Sequence, residues 1–158
     1  MSTHNLRPDL ALIASWISPS ARILDLGCGD GNLLAHLQQH KQVTGYGLEI
    51  DPARVAACIE NGVNVIQGDL DKGLKEFQTQ SFDMLVLNQA LQMVDRPDHL
   101  LDEMLRVGRE VIVTFPNFGY WRNRLAVLRG HMPLTRALPE QWYDTPNMHL
   151  CTVHDFEQ

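Results

Sequence analysis

Apolar residues along the chain follow two spacings, one typical of amphipathic helices and one typical of buried strands. At the start, "LRPDLALIASWI" places Leu6, Leu10, Ile13, Ala14 and Ile17 on one face of a predicted helix. Further on, short apolar runs end in glycine or in polar residues, which is typical of strands buried on both faces of a sheet. The predicted strands are "ARILDLG", "VTGYGLEI", "VNVIQGD", "SFDMLVLNQ" and "REVIVTF".

Helical patterns alternate with these strands. Asp51 and Pro52 are typical of an N-cap and a first helical residue, and Gly62 and Gly108 are typical of helix stops. Strands that alternate with helices predict an α/β fold, a doubly wound and mostly parallel Rossmann-like sheet. We expect these inward residues: Leu33, Leu34 and Leu37 in the first of these helices, Val55, Ala56 and Ile59 in the second, and Leu100, Leu101, Met104 and Leu105 in the one before the last strand.

The length of 158 residues predicts one domain, with three parts along the chain. Residues 1–20 form an N-terminal helix, residues 21–116 a cofactor-binding core, and residues 117–158 a cap or partner segment rich in aromatic, proline and cationic residues. Within this segment "YWRNRLAVLRG" predicts a short amphipathic helix. Thr152 and Asp155 resemble a capping box just before the chain stops, so we expect that the C-terminal part of the fold is truncated.

Charge and cysteine content narrow the range of functions. The formal net charge of −6 opposes binding to nucleic acid or to an anionic membrane, since both need a basic surface. Three widely spaced cysteines favour a reducing compartment. Because the chain also has neither a secretion signal nor an apolar run of about 20 residues, we expect a cytoplasmic protein.

The glycine-rich loop after the first strand is the main functional signal. A dinucleotide-binding loop needs a third glycine where this chain has Asn32. The pattern is instead Asp25-x-Gly27-x-Gly29-x-Gly31, and it resembles motif I of the class I S-adenosylmethionine-dependent methyltransferases. A bare tight turn is the alternative explanation of the glycines.

That resemblance extends to the ends of the next three strands and implies S-adenosylmethionine, or S-adenosylhomocysteine, as the cofactor. It implies that Glu49 accepts the ribose hydroxyls and that Asp69 accepts the adenine amino group with Leu70 beside the ring, while Asp25 faces the methionine amino group. Asn88 would line the methyl-transfer site. An acid at Glu49 also suits a nicotinamide cofactor, Asp51 is better explained as a helix cap, and Asp69 and Asp71 could instead be solvated loop residues.

Over nearly its whole length the chain also resembles the MetW family of bacterial methionine biosynthesis proteins. The resemblance rests on "LRPDL", "ILDLGCGDG", "GYGLEID", "VIQGDLDKGL", "RPDHLLDEMLRVGREVIVTFPNFGYWR" and above all "ALPEQWYDTPNMHLCTVHDFE". It implies a role beside homoserine O-acyltransferase as the partner. It leaves two functions open, an accessory protein that senses S-adenosylmethionine and a small-molecule methyltransferase with an unknown acceptor.

No residue stands out as catalytic, and methyl transfer from a sulfonium mainly needs alignment and exclusion of water. Asn88 precedes Gln-Ala-Leu and lacks the Pro-Pro-aromatic run that grips planar nitrogen acceptors. His149 and Asp144 are weak acid–base candidates, and we expect no metal because His149 and Cys151 lack a second pair of ligands.

The cap segment itself has several possible roles. Its aromatic residues could form a lid over the acceptor, dock a protein, or close the core, and three arginines could form a basic face or a solvated helix side. The aromatic residues are Phe118, Tyr120, Trp121, Trp142 and Tyr143, and the arginines are Arg122, Arg124 and Arg129.

Overall fold

The computed structural model describes residues 6–134, 145 and 149–157 of the chain. Strands and α-helices alternate from residue 8 to residue 114, as the apolar pattern predicts, except between the third and fourth strands. The helices are α1 (Pro8–Trp16), α2 (Asn32–Lys41), α3 (Pro52–Glu60), α4 (Pro97–Val107), α5 (Trp121–Leu128) and α6 (Val153–Phe156). The strands are β1 (Arg22–Leu26), β2 (Thr44–Glu49), β3 (Val65–Gln67), β4 (Phe82–Asn88) and β5 (Gly108–Thr114).

The five strands form one parallel sheet in the order β3-β2-β1-β4-β5. The chain runs outward from β1 to β3, then crosses back to place β4 on the other side of β1. The sheet therefore has a topological switch point between β1 and β4. In open α/β sheets of this kind, ligands bind beyond the carboxyl ends of the strands at the switch point.

Side chains that alternate along the strands build a core on each face of the sheet. Ile23, Met84 and Val86 pack with α1 and α2 on one face, whereas Leu24 and Leu85 pack with α4 on the other. These residues are buried because both faces of a parallel sheet are covered. The expected inward residues of α1 and α2 do face this core, which confirms the helical pattern there.

Two of the predicted helix faces are partly wrong. In α3, Ile59 is 64% exposed and Ala56 is also exposed, while Cys58 is fully buried. The pattern missed Cys58 because free cysteine packs as a small apolar side chain. In α4, Leu105 is 67% exposed, because the buried stripe runs from Leu100 through Met104 to Val107 with spacings of four and three.

The connection from β3 to β4 differs from the expected alternation. Residues 68–81, all of them described, form a short 3-10 helix at Leu70–Lys72 and then turns, with no α-helix. Gly73 has a φ of +75° directly after the 3-10 helix and ends it. Arg106 holds this connection in place by donating to the carbonyl oxygens of Leu74 and Phe77.

Two expected helix signals near the C-terminus are confirmed. "YWRNRLAVLRG" contains α5, and α6 begins with the capping box. In that box the Thr152 hydroxyl accepts from the Asp155 N–H, and the Asp155 carboxylate accepts from the Thr152 N–H. Within the described residues, no helix is both long and apolar enough to cross a membrane.

Candidate functional site

The glycine-rich loop leaves β1 in a conformation that favours glycine. Gly27, Gly29 and Gly31 have φ angles of +67°, +59° and +76°, which L side chains rarely adopt. The N–H groups of Gly27 and Cys28 both donate to the Leu48 carbonyl, at 2.8 and 3.1 Å. The loop is therefore fixed to the end of β2, with its backbone free of side chains at the switch point.

Glu49, the last residue of β2, holds this loop from the other side. Its Oε2 accepts from the Gly29 N–H at 2.8 Å, and its Oε1 accepts from the N–H groups of Ile50 and Asp51, both at 3.0 Å. The carboxylate is only 5% exposed. Since a carboxylate offers about four acceptor positions, one remains, on Oε2.

Asp25 lies beneath the loop, in the middle of the sheet. It is 3% exposed, and burial raises its pKa to about 7, with a smaller contribution from the nearby charge of Glu49. A carboxyl group with this pKa is half ionised near neutral pH. A cationic ligand at this position would favour its ionised form.

Asp69 and Leu70 follow β3 and face the same space. Asp69 Oδ1 accepts from the Asp71 N–H at 3.0 Å and caps the 3-10 helix, and Asp69 also lines the cavity. Asp71 Oδ1 in turn accepts from the Asp95 N–H at 2.7 Å. The bond from the Asp71 N–H sets the direction of the Asp69 side chain, and no hydrogen bond from a described residue reaches its Oδ2.

Asn88 ends β4, and β5 holds its amide. The Thr114 hydroxyl of β5 donates to Asn88 Oδ1. The Arg7 guanidinium lowers the pKa of Asp9, and a smaller part of the lowering comes from Asn88, which places Asp9 near this amide. The side chain therefore ties the end of β4 to β5, and the first turn of α1 lies near it.

These strand ends surround one cavity of about 910 Å³. That volume is within the range of roughly 300–1,000 Å³ typical of small-molecule sites. Its walls contain seven of the eight residues that the sequence assigns to the cofactor: Asp25, Gly27, Gly29, Glu49, Asp69, Leu70 and Asn88.

Gly31, the eighth residue, has a different position. A Cβ at Gly31 would lie 3.1 Å from Cys58 Sγ and 3.2 Å from a methyl group of Val63. Gly31 therefore allows the start of α2 to pack against α3. A Cβ at Gly29, in contrast, would meet no described atom within 4 Å and would point into open space.

The start of α1 forms a wall of the cavity that the motif analysis did not identify. Leu6, Arg7 and Leu10 line the cavity, and Arg7 makes a two-pronged contact with Asp9 at 2.7 and 3.2 Å. Only the "LRPDL" segment pointed to this region, and it did so by resemblance and without a role. Its contribution depends on tertiary packing that no local pattern encodes.

Two thiols lie directly under the loop. The Sγ atoms of Cys28 and Cys58 are 3.7 Å apart, and Cys58 Sγ donates to the Gly29 carbonyl at 3.1 Å. Burial raises the pKa of both thiols. Both cysteines are free thiols, and their packing supports the loop from below.

The weak catalytic candidates lie elsewhere or cannot be placed. His149 is exposed, its backbone N–H donates to the Gln92 carbonyl at 3.1 Å, and it is not among the residues that line the cavity. Asp144, Trp142 and Tyr143 lie outside the described residues. Among the residues that are described, no group of three or more His, Cys, Asp or Glu side chains is placed to hold a metal ion.

Comparison with known proteins identifies the family. The family model described as "Methionine biosynthesis protein MetW" matches residues 7–158. A bifunctional methionine biosynthesis protein MetXA/MetW from Rhodopirellula baltica is 36% identical over 98% of this chain, and the match covers 26% of that protein. The name of that relative combines a MetXA part and a MetW part in one bifunctional protein.

Methyltransferases form a second group of similar proteins. A trans-aconitate 2-methyltransferase from Mycobacterium tuberculosis is 33% identical over 62% of this chain and 36% of its own length. A crystal structure of an S-adenosylmethionine-dependent methyltransferase from Archaeoglobus fulgidus matches with a TM-score of 0.72 and 17% identity, over 94% of this chain and 62% of that one.

The chain spans about a quarter to two fifths of the length of the curated relatives that it matches. The match to the MetW family nevertheless covers the sheet, the cavity and the cap segment together. The chain therefore belongs to the MetW family of methionine biosynthesis proteins, and it has the fold of the class I S-adenosylmethionine-dependent methyltransferases.

Proposed function

We propose that the cavity binds S-adenosylmethionine and that the chain acts with homoserine O-acyltransferase in methionine synthesis. The observation that carries the cofactor proposal is the charge of the cavity wall. Six carboxylates line it, against two arginines. Arg54 and Arg7 each lie beside an aspartate, Arg54 at 3.8 Å from Asp51 and Arg7 at 2.7 Å from Asp9.

This charge balance fits a ligand that carries a sulfonium and an ammonium group. It opposes the pyrophosphate of a dinucleotide, whose two negative charges would face these carboxylates. The carboxylates of the wall are Asp25, Asp30, Glu49, Asp51, Asp69 and Asp71.

Each strand end offers a matching contact. The remaining acceptor position on Glu49 Oε2 takes one ribose hydroxyl, and Asp69 Oδ2 takes the adenine amino group with Leu70 against the ring. The backbone between Gly27 and Gly29 allows the methionine part to approach closely, and ionised Asp25 balances its ammonium group. When bound, the cofactor supplies a methyl group already activated by the sulfonium charge. Asn88 lines the end of the cavity where an acceptor would meet that methyl group.

A thermal shift experiment tests the cofactor proposal. S-adenosylmethionine and S-adenosylhomocysteine should raise the Tm of the chain at millimolar concentration, because a ligand that binds only the folded state stabilises it. NADH should leave the Tm unchanged. A shift with NADH alone would contradict the proposal and favour a nicotinamide-dependent enzyme.

The partner proposal is supported by the relative in which the MetW part and an acyltransferase share one polypeptide. Two functions joined in one chain act at high effective concentration, so a separate MetW chain needs a binding surface to achieve the same proximity. Co-expression with an affinity-tagged homoserine O-acyltransferase tests this. Co-purification in a fixed ratio is expected, and complete separation under low salt would contradict the proposal.

A second function, small-molecule methyl transfer, is favoured by the similarity to trans-aconitate 2-methyltransferases. Two apolar residues at the start of the chain's first helical segment, Leu6 just before α1 and Leu10 within it, line the same cavity as Asn88 and could contact an acceptor. Release of S-adenosylhomocysteine with a panel of polycarboxylic acids and homoserine derivatives discriminates the two functions. Sustained turnover with any acceptor would make the chain an enzyme, and none is expected if it only senses the cofactor.

A further inference from the structure

Helix α5 exposes an apolar side and buries a polar residue on the opposite side. Trp121, Leu125 and Leu128 are spaced by four and three residues and therefore share one side of the helix. Their exposed fractions are 58%, 37% and 83%. Asn123 lies on the opposite side, is only 4% exposed, and donates from its amide to the Asn117 carbonyl at 3.1 Å.

A surface helix normally turns its apolar stripe toward the core. The core alternative for Trp121 is therefore wrong, because its ring is exposed and does not close the sheet edge. Among the residues that the structure describes, the stripe of Trp121, Leu125 and Leu128 remains exposed.

The charged residues of α5, together with Arg129 that follows it, are all positive. Arg122, Arg124 and Arg129 are exposed, and α5 contains no acidic residue. At 100° per residue, Arg124 lies on one side of the stripe and the other two lie on the other side, so they do not form the single basic face that was one alternative. Although the chain has a net charge of −6, the arginines of this helix form a local cationic rim on both sides of the apolar stripe.

This composition is typical of a protein-docking surface. Tryptophan and arginine are enriched among the residues that dominate binding energies. The Arg122 guanidinium lies 5.3 Å from the centre of the Trp121 ring, which orients the ring before any partner arrives. The complementary surface is an apolar groove bordered by carboxylates.

We infer that the outer face of α5 docks homoserine O-acyltransferase through such a groove. The inference rests on the proposed function, since it names the surface that the partner contacts. The match to the fused MetXA/MetW relative covers 98% of this chain, so α5 lies within the part that is joined to an acyltransferase there. No residue of α5 lines the cavity, so docking leaves the cavity open to its ligand.

The test measures the Kd between the full chain and purified homoserine O-acyltransferase. Leu128→Glu places a carboxylate in the apolar stripe. This carboxylate would be repelled by the acidic border of the partner's groove, so we expect the Kd to rise roughly 10-fold or more. Arg124→Glu should weaken binding as well, with a smaller dependence on salt than the wild type shows. Leu105→Glu is the matched control, because Leu105 is a leucine 67% exposed on α4, and its Kd should stay within about twofold of wild type.

Three outcomes would overturn the inference in distinguishable ways. Equal binding by wild type and Leu128→Glu would exclude the α5 face and leave the partner proposal intact. Absence of any wild-type complex would overturn both proposals. A wild-type homodimer, seen by light scattering and dispersed by Leu128→Glu, would assign the face to a second copy of this chain instead.

Discussion

The cavity and the outer face of α5 depart from ordinary packing in opposite directions. At the cavity, the carboxylates of Asp25 and Glu49 are buried, and three of the about four acceptor positions of Glu49 are taken by backbone N–H groups. On α5, apolar side chains are exposed while Asn123 is buried. Positions where polar side chains are buried or apolar side chains are exposed, within a fold that otherwise follows the usual packing rules, tend to be functional sites. The direction of each departure supports the two proposals, a small cationic ligand at the cavity and a protein partner at α5.

The largest expected effect comes from filling the cavity through its glycine loop. Gly29→Val places a branched side chain in open space next to Glu49, so S-adenosylmethionine should bind roughly 100-fold more weakly or not at all, a loss of about 2.7 kcal/mol. The measurement is calorimetric titration at pH 7.

Gly130→Val is the matched control for that variant. Gly130 has a φ of +78°, close to the +59° of Gly29, and likewise meets no described atom within 4 Å. Both variants carry the same kind of backbone strain, and only Gly29→Val should lose the cofactor. Equal loss in both would show that strain, not occupation of the cavity, is responsible.

Asp69→Asn should weaken binding by roughly 10- to 100-fold, the range for a hydrogen bond to a charged acceptor. The asparagine oxygen can still cap the 3-10 helix, which leaves its NH₂ group facing the adenine amino group, donor against donor. Asp98→Asn, on the exposed start of α4, should have no effect. Titration with adenosine alone should show the same loss, and an unchanged affinity for adenosine would remove Asp69 from the base contact.

Cofactor affinity should rise with pH because Asp25 must be ionised to face an ammonium group. With a pKa of about 7 in the free protein, affinity should increase roughly 10-fold between pH 5.5 and 7. Asp25→Asn should bind weakly at both pH values with no such slope. A wild-type affinity that is flat over this interval would contradict the role of Asp25.

The raised pKa of Asp25 also makes the free energy of unfolding depend on pH, but this free energy falls as pH rises, whereas cofactor affinity increases. Without ligand, the contribution of protonated Asp25 to the free energy of unfolding is fully present below its unfolded pKa of about 3.9 and is lost as pH rises through about 7. Denaturant titrations of wild type and Asp25→Asn at several pH values check this. The difference between the two should grow as pH rises.

The smallest effect is expected on the outer face of α5. Leu128→Asn should change the free energy of unfolding by less than about 0.5 kcal/mol, because Leu128 is 83% exposed. Leu37→Ala, at a fully buried position of α2, should cost about 2–5 kcal/mol. Comparable destabilisation by both substitutions in urea would mean that the stripe packs against this chain after all.

Much of the fold and of the cavity follows from the sequence because both depend on short-range patterns. Buried parallel strands read as apolar runs, and their carboxyl ends meet at one edge, so the pattern predicted that Glu49 and Asp69 lie at the same edge of the sheet. Their proposed roles toward a cofactor came from the resemblance to the methyltransferases. The N-cap at Asp51 and the capping box at Thr152 are local for the same reason.

What the sequence did not predict depends on contacts between distant segments. The three backbone N–H groups on Glu49 and the wall formed by Arg7 arise only when β2, the glycine loop and α1 come together. The spacing of apolar residues found α5, but spacing alone cannot say which side of a helix meets the core. In α5 the buried residue is Asn123, against the usual rule.

Calorimetric titration of the full chain with S-adenosylmethionine tests the central claim most directly. The account predicts saturable binding at one site per chain, with S-adenosylhomocysteine competing for it. Absence of heat up to millimolar ligand, or binding that survives Gly29→Val unchanged, would mean that the acidic cavity between β1 and β4 serves a different molecule.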